Sequence, residues 1–277
     1  MITWEIKKIF KSKNGIISII LFLILSVVMT FLKPKMAGGN YKGVEFWTVF
    51  NYRSYHPLMA FIMIIIITMI FCNIYTDEII STVDNLILSS KNKNRTLYSK
   101  LALGIGIPVI LYIVYLILQF IITYIQFGRP MNGSMQAMRL FDNPELIKDT
   151  LTIYGLTLFK IKVMIIILIT FGVVASLFSF ITKNSIQATS GFLIFLFLGK
   201  VITLLKFLPE KLLFICGQFN YIELIFNFNN LMGMNFGKIN VFSMNVDIIS
   251  LCVIMLIGIL LLGIILCICT FKRFLTR

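Results

Sequence analysis

Histidine is almost absent from this sequence, and acidic residues are few. His56 stands alone beside eleven Asp and Glu. A single histidine excludes an H-E-x-x-H metal site and removes the usual base of a Ser-His-Asp triad. Paired carboxylates for acid–base work at membrane depth are missing too, because every Asp and Glu falls in a loop or at the end of an apolar stretch. Neither Gly199-Lys200-Val201 nor Gly237-Lys238-Ile239 is followed by Ser or Thr. No G-x-x-x-x-G-K-S/T loop exists to cradle phosphates, so the chain is not expected to hydrolyse ATP by itself. The five cysteines are an odd number, most of them in or beside apolar runs, and indicate neither a disulfide framework nor a zinc site. The sequence thus offers no catalytic residues, no metal ligands and no cofactor site of its own.

What is present is apolar. Hydrophobic residues make up 59% of the 277 positions and charged ones only 13%, with a mean hydropathy of +0.97. Soluble domains run nearer half apolar and a quarter charged, so a water-soluble enzyme is excluded. Crossing ~30 Å of hydrocarbon takes ~20 apolar residues in a helix. Six stretches approach or exceed that length, over 15–32, 57–75, 101–127, 163–181, 188–208 and 247–271. The fold class expected is all-α, a single polytopic domain of six transmembrane helices. The first stretch follows four lysines as a signal peptide would, but its apolar run is too long and no cleavage-like site follows, so it is read as a retained span.

The formal charge of +14 goes with this architecture. In a membrane protein, excess Lys and Arg set topology and contact anionic lipids; no basic–aromatic cluster accompanies the charge, so no nucleic-acid partner is expected. The loops divide Lys and Arg almost evenly, twelve against eleven. The twelve on the side of both termini occupy about half as much chain and crowd the span ends, which places both termini in the cytoplasm of a cell membrane.

Four segments outside the spans carry information. Over residues 1–14, Ile2, Ile6, Ile9 and Phe10 recur at helical spacing opposite Lys7, Lys8 and Lys11, the pattern of an amphipathic helix lying at the headgroups, or else simply the basic flank of the first span. Over 76–100, three acids precede an apolar patch and a basic run. Ile79, Ile80, Val83, Leu86 and Ile87 recur at three and four, so a short amphipathic helix is expected, covered by a partner protein or by the bundle itself. The loop 209–246 is apolar but broken by Gly217, Asn220, Asn227, Asn229 and Asn230, which suits a re-entrant or interfacial hairpin. Asp142, Asn143, Pro144 and Glu145 form a candidate helix start in the long loop before the fourth span. Lys200 and Lys206 are the only charges inside a predicted span, either snorkelling to the interface or lining a cavity.

The arrangement resembles the permease subunit of an ABC-2-type transporter. In the segment after the second span, Asp77 and Glu78 hold that family's acidic position and Ser81-Thr82 stand for its Gly-Thr pair. The stretch from Val83 to Ser90 is the apolar one, Lys91, Lys93 and Arg95 are the basic one, and Lys100 is the closing lysine. Ser81 replaces the usual Gly, and no Pro follows Ser90. The resemblance implies a homo- or heterodimer of permeases, each seated on a separately encoded cytoplasmic ATPase subunit that binds ATP and Mg. It further implies that the segment from Asp77 to Ser90 is the coupling helix. Asp77 and Glu78 would pair with basic groups of the ATPase while Ile79, Val83 and Leu86 supply burial, and as exposed charges the two acids are expected to add little stability. The family's exoplasmic hairpin corresponds to 209–230, and the implied cargo is an amphipathic or hydrophobic molecule such as a peptide, antimicrobial, drug or lipid-like compound. The competing expectation is a membrane scaffold, sensor or channel subunit without an ATPase.

Overall fold

A computed structural model describes residues 2–34, 44–81, 93–137, 151–205, 213, 217, 220–226, 238–241 and 244–275. Among the described residues, six helical stretches are long and apolar enough to cross a membrane: Lys13–Phe31, Glu45–Ile80, Asn94–Phe127, Ile153–Ile181, Ser185–Thr203 and Ser250–Phe271. The chain is therefore a multi-pass helical membrane protein.

In chain order, α1 (Ile2–Lys11) leads into α2 (Lys13–Phe31), followed by α3 (Val44–Ser54), α4 (Pro57–Phe71) and the short α5 (Thr76–Ile80). Then come α6 (Lys93–Phe127), α7 (Ile153–Ile181), α8 (Ser185–Thr203), α9 (Tyr221–Phe226) and α10 (Ile248–Leu275). Between α9 and α10, β1 (Lys238–Val241) and β2 (Met244–Asp247) pair as an antiparallel ribbon, Lys238 opposite Asp247. This ribbon is a local departure from the all-helical expectation.

Local chemistry sets the boundaries. Ser12 turns the corner from α1 into α2, its hydroxyl accepting the Gly15 amide at 3.0 Å. Gly15 is required there, since a Cβ would collide with the Ile9 carbonyl. His56 Nδ1 accepts the Leu58 amide at 3.1 Å and Pro57 opens α4. Thr152 caps α7 and Asn184 caps α8 in the same way.

α7 is the axis of the bundle. In its apolar window 72% is buried within the protein, against 22% for α8 and for α10. It contacts α4, α6, α8 and α10, and its small residues Gly172, Ala175, Ser176 and Ser179 are all buried. At the crossing with α6, a Cβ on Gly172 would fall onto the Gly104 carbonyl oxygen, so both helices approach backbone to backbone. The outward faces of α2, α8 and α10 carry exposed Ile, Leu, Val and Phe, as lipid contact requires.

Two expectations change. The stretch 44–54, expected as a loop, is a helix whose Phe46, Trp47 and Phe50 form a buried cluster with Ile153. The second span ends as regular helix at Phe71, with a turn before α5. The helix of the fourth span begins at Ile153, ten residues before its apolar run does, as a helix start in the preceding loop implies. The candidate start at Asp142, Asn143, Pro144 and Glu145 lies outside the described residues.

Candidate functional site

The α1 end of the bundle holds the segment that the sequence singles out. After α4 the chain turns through Cys72–Tyr75, and the amides of Tyr75 and Thr76 both donate to the hydroxyl of Ser179 on α7, at 2.9 and 3.2 Å. Thr76 bonds back to the Cys72 carbonyl at 3.1 Å. Orphan amides at the start of α5 are thus satisfied from another helix, and α5 is fixed to the axis of the fold.

Below α5 lies a buried charge network. Glu78 Oε1 accepts Lys100 Nζ at 2.7 Å and Lys8 Nζ at 2.9 Å. Lys100 Nζ also donates to the Ile74 carbonyl at 2.9 Å and lies 3.5 Å from Glu5 Oε2. Lys100 is 1% exposed, Glu5 2% and Glu78 3%, whereas the Lys8 side chain keeps 39% of its surface in contact with the outside. Three elements meet here, α1 through Glu5 and Lys8, α5 through Glu78, and α6 through Lys100. Removing ions from water is costly unless each finds an opposite charge, so the network ties the three elements into one unit. A neighbouring cavity of about 40 Å³ is lined by Glu5, Lys8, Asn14, Asn73 and Asp77 among others.

This geometry separates two acids that the sequence leaves equivalent. Asp77 is exposed while Glu78 points inward, so the expectation that both are exposed charges of little energetic weight is corrected for Glu78. The reason is periodicity: neighbours on a helix lie ~100° apart, and here one falls on each side. Ile79 is partly buried against the core, Ile80 is 62% exposed, and Ser81 bonds back to the Asp77 carbonyl at 2.8 Å. Lys100 is likewise corrected from a basic loop residue to a buried counter-ion. Arg95 is exposed on the first turn of α6, which Lys93 opens. Thr82, Val83, Leu86, Lys91 and Lys206 lie outside the described residues. Lys200 sits 3.3 Å from Glu223 Oε2 with both side chains partly exposed, which ties α8 to α9.

Sequence reasoning missed four residues. Glu5 had a visible signal, being the one acid on the apolar side of a lysine-rich helix, four residues before buried Ile9. Ser179 had none, because its role depends on a contact more than one hundred positions away in the chain. Lys160 is buried inside α7. Arg53, expected in a loop, is fully buried at the opposite end of the bundle. Its guanidinium donates to the carbonyls of Thr30 at 2.6 Å and Leu32 at 3.2 Å, to Gln126 Oε1 at 2.9 Å and to Thr123 Oγ1 at 3.3 Å. Tyr112 and Tyr115 donate to the carbonyls of Ser54 and Arg53, and Tyr55 donates to that of Leu224 in α9.

Among known proteins, no family model, no curated protein and no solved structure matches the chain. Fold and site together define the class only as a multi-pass helical membrane protein with a charge-locked end.

Proposed function

We propose that this chain is the membrane-spanning permease subunit of an ATP-driven ABC-2-type exporter, with the α1 end in the cytoplasm. The observation that carries this reading is α5: a short helix hung beneath the second span, pinned from inside through Glu78 and Ser179, with Asp77 and Ile80 facing outward. A helix held this firmly while presenting an acid and an apolar residue suits a lever for a separate ATPase subunit, the role of the coupling helix from Asp77 onward. The buried network would carry the push of that subunit into α1 and α6 together, a rigid-body transition of the kind that switches access in transporters. The partner holds ATP and Mg; a second permease, alike or different, completes the pathway.

Apolar spans support an amphipathic or hydrophobic cargo, such as a peptide, antimicrobial, drug or lipid-like molecule. Docking of α9 on Tyr55 and Lys200 supports a gating role for the hairpin at the exoplasmic end. The test is purification from native membranes in mild detergent, with identification of co-purifying proteins and an ATPase assay. Recovery of a nucleotide-binding subunit with vanadate-sensitive hydrolysis is expected. Recovery of the chain alone, without hydrolysis, overturns the proposal in favour of a scaffold, sensor or channel subunit.

A further inference from the structure

The contact between α1 and α6 leaves an open groove of about 460 Å³ on its outer edge, lined by Ile2 and Thr3 from α1 and by Arg95, Tyr98, Ser99 and Ala102 from α6. Arg95 and Tyr98 are both exposed and lie three residues apart, on one face of the helix. Ser99 turns its hydroxyl back to the Arg95 carbonyl at 2.7 Å, which leaves the guanidinium fork and the phenol as the polar lining from α6. The opposite wall is Ile2, 46% exposed, and the hydroxyl-bearing Thr3, and Ala102 adds a small apolar residue on α6.

The depth of the groove follows from α1. Ile2, Trp4 and Phe10 are exposed apolar residues on a helix that also carries exposed Lys7 and Lys11, the composition of an element at the boundary between headgroups and acyl chains. The charge around it is one-sided. Glu5 and Glu78 are buried and neutralised by Lys8 and Lys100. Of the charged side chains described as exposed at this end, Lys7, Lys11, Lys13, Arg95 and Lys183 face only Asp77. The internal pairing therefore consumes the acids and leaves the surface cationic.

We propose that this groove is a binding site for one anionic phospholipid. The Arg95 guanidinium and Tyr98 hydroxyl grip its phosphate, Thr3 supplies a further hydroxyl, and an acyl chain lies along Ile2 and Ala102. A planar guanidinium suits phosphate better than a lysine would, since it donates two parallel hydrogen bonds. The lipid would bridge α1 and α6 from outside, as the Lys100 network bridges them from inside. The site depends on the groove and its charge, not on an ATPase.

The test uses the full chain, purified in detergent, delipidated and titrated with phosphatidylglycerol or phosphatidylcholine under native mass spectrometry. Saturable binding of one phosphatidylglycerol, in preference to phosphatidylcholine, is expected. Arg95→Gln should weaken it about fivefold, the contribution of one basic residue near a membrane surface. Ala102→Trp, which fills the groove and leaves every charge in place, should abolish it. Lys183→Gln, at the same end but away from the groove, should leave it unchanged. Wild-type binding by both groove variants overturns the proposal, as does an equal loss in Lys183→Gln, which would mean diffuse attraction. Competition by soluble glycerol phosphate at the affinity of the lipid would overturn the lipid in favour of a free phosphate ligand.

Discussion

Arg53 and Lys100 are buried at opposite ends of the bundle, and the two are held in opposite ways. Lys100 lies among carboxylates, those of Glu78 and Glu5, with one carbonyl beside them. Arg53 lies among neutral oxygens: two carbonyls, one hydroxyl and one amide. The difference reflects the donors. An ammonium is a compact point charge that needs an opposite charge when buried, whereas a guanidinium spreads its charge over five donors that separate backbone carbonyls can share. The functional difference follows. Every bond of Arg53 ends on α2, the residue just past it or α6, so it works as a fixed staple. The Lys100 cluster joins three elements through ion pairs and stays open to the outside at Lys8, so it can be perturbed by what approaches that face.

The comparison is broken most severely by Lys100→Met. Buried Glu5 would lose its lysine partner and Glu78 would keep only the partly exposed Lys8, and a loss of about 3–5 kcal/mol is expected in thermal or denaturant unfolding of the detergent-solubilised chain. Adding Glu78→Leu should recover part of that loss, because removing both members of a buried pair costs less than removing one. Arg53→Lys should cost about 2–3 kcal/mol, since a single ammonium has three donors at one point and leaves some of the four oxygens unsatisfied. Gly172→Ala, which faces Gly104 about one turn along α6 from Lys100, should cost about 1–3 kcal/mol by forcing α7 away from Gly104. The smallest effect belongs to Asp77→Ala, within about 0.5 kcal/mol in the same melts. Under the proposed function, that variant nevertheless loses co-purifying ATPase activity; full retention of partner and hydrolysis would count against α5 as the coupling element.

The spans were legible because hydrocarbon thickness imposes a length that composition cannot hide, and each of the six predicted runs overlaps one of the six long apolar stretches. The runs 101–127 and 163–181 lie wholly within their helices, 15–32 and 247–271 overrun theirs by one residue, and 57–75 and 188–208 pass the ends of theirs at Phe71 and Thr203. The position of α1 could be read from the helical spacing of Ile2, Ile6 and Ile9. The burial of Arg53 could not: residues 44–54 mix polar and aromatic side chains without an apolar run, and what buries them is contact with α6 and with Tyr154 and Ile153 of α7. The choice between Asp77 and Glu78 was also out of reach, because it turns on the phase of a five-residue helix fixed by Ser179. Lys100 looked like one more basic residue of a positive run until Glu5 and Glu78 closed around it.

The position of α7 also bears on how the protein is made. Its face around Val173, Val174 and Phe180 is covered by α10, where Cys267 points its thiol at the Val173 carbonyl and Phe271 meets Phe180. α10 is synthesised long after α7, so a nascent chain must hold that face against lipid or a chaperone until the 28 residues of α10 have left the insertion machinery. A chain stalled or cleaved before α10 would expose an unfinished seam, the kind of surface by which membrane quality control tells an incomplete protein from a finished one.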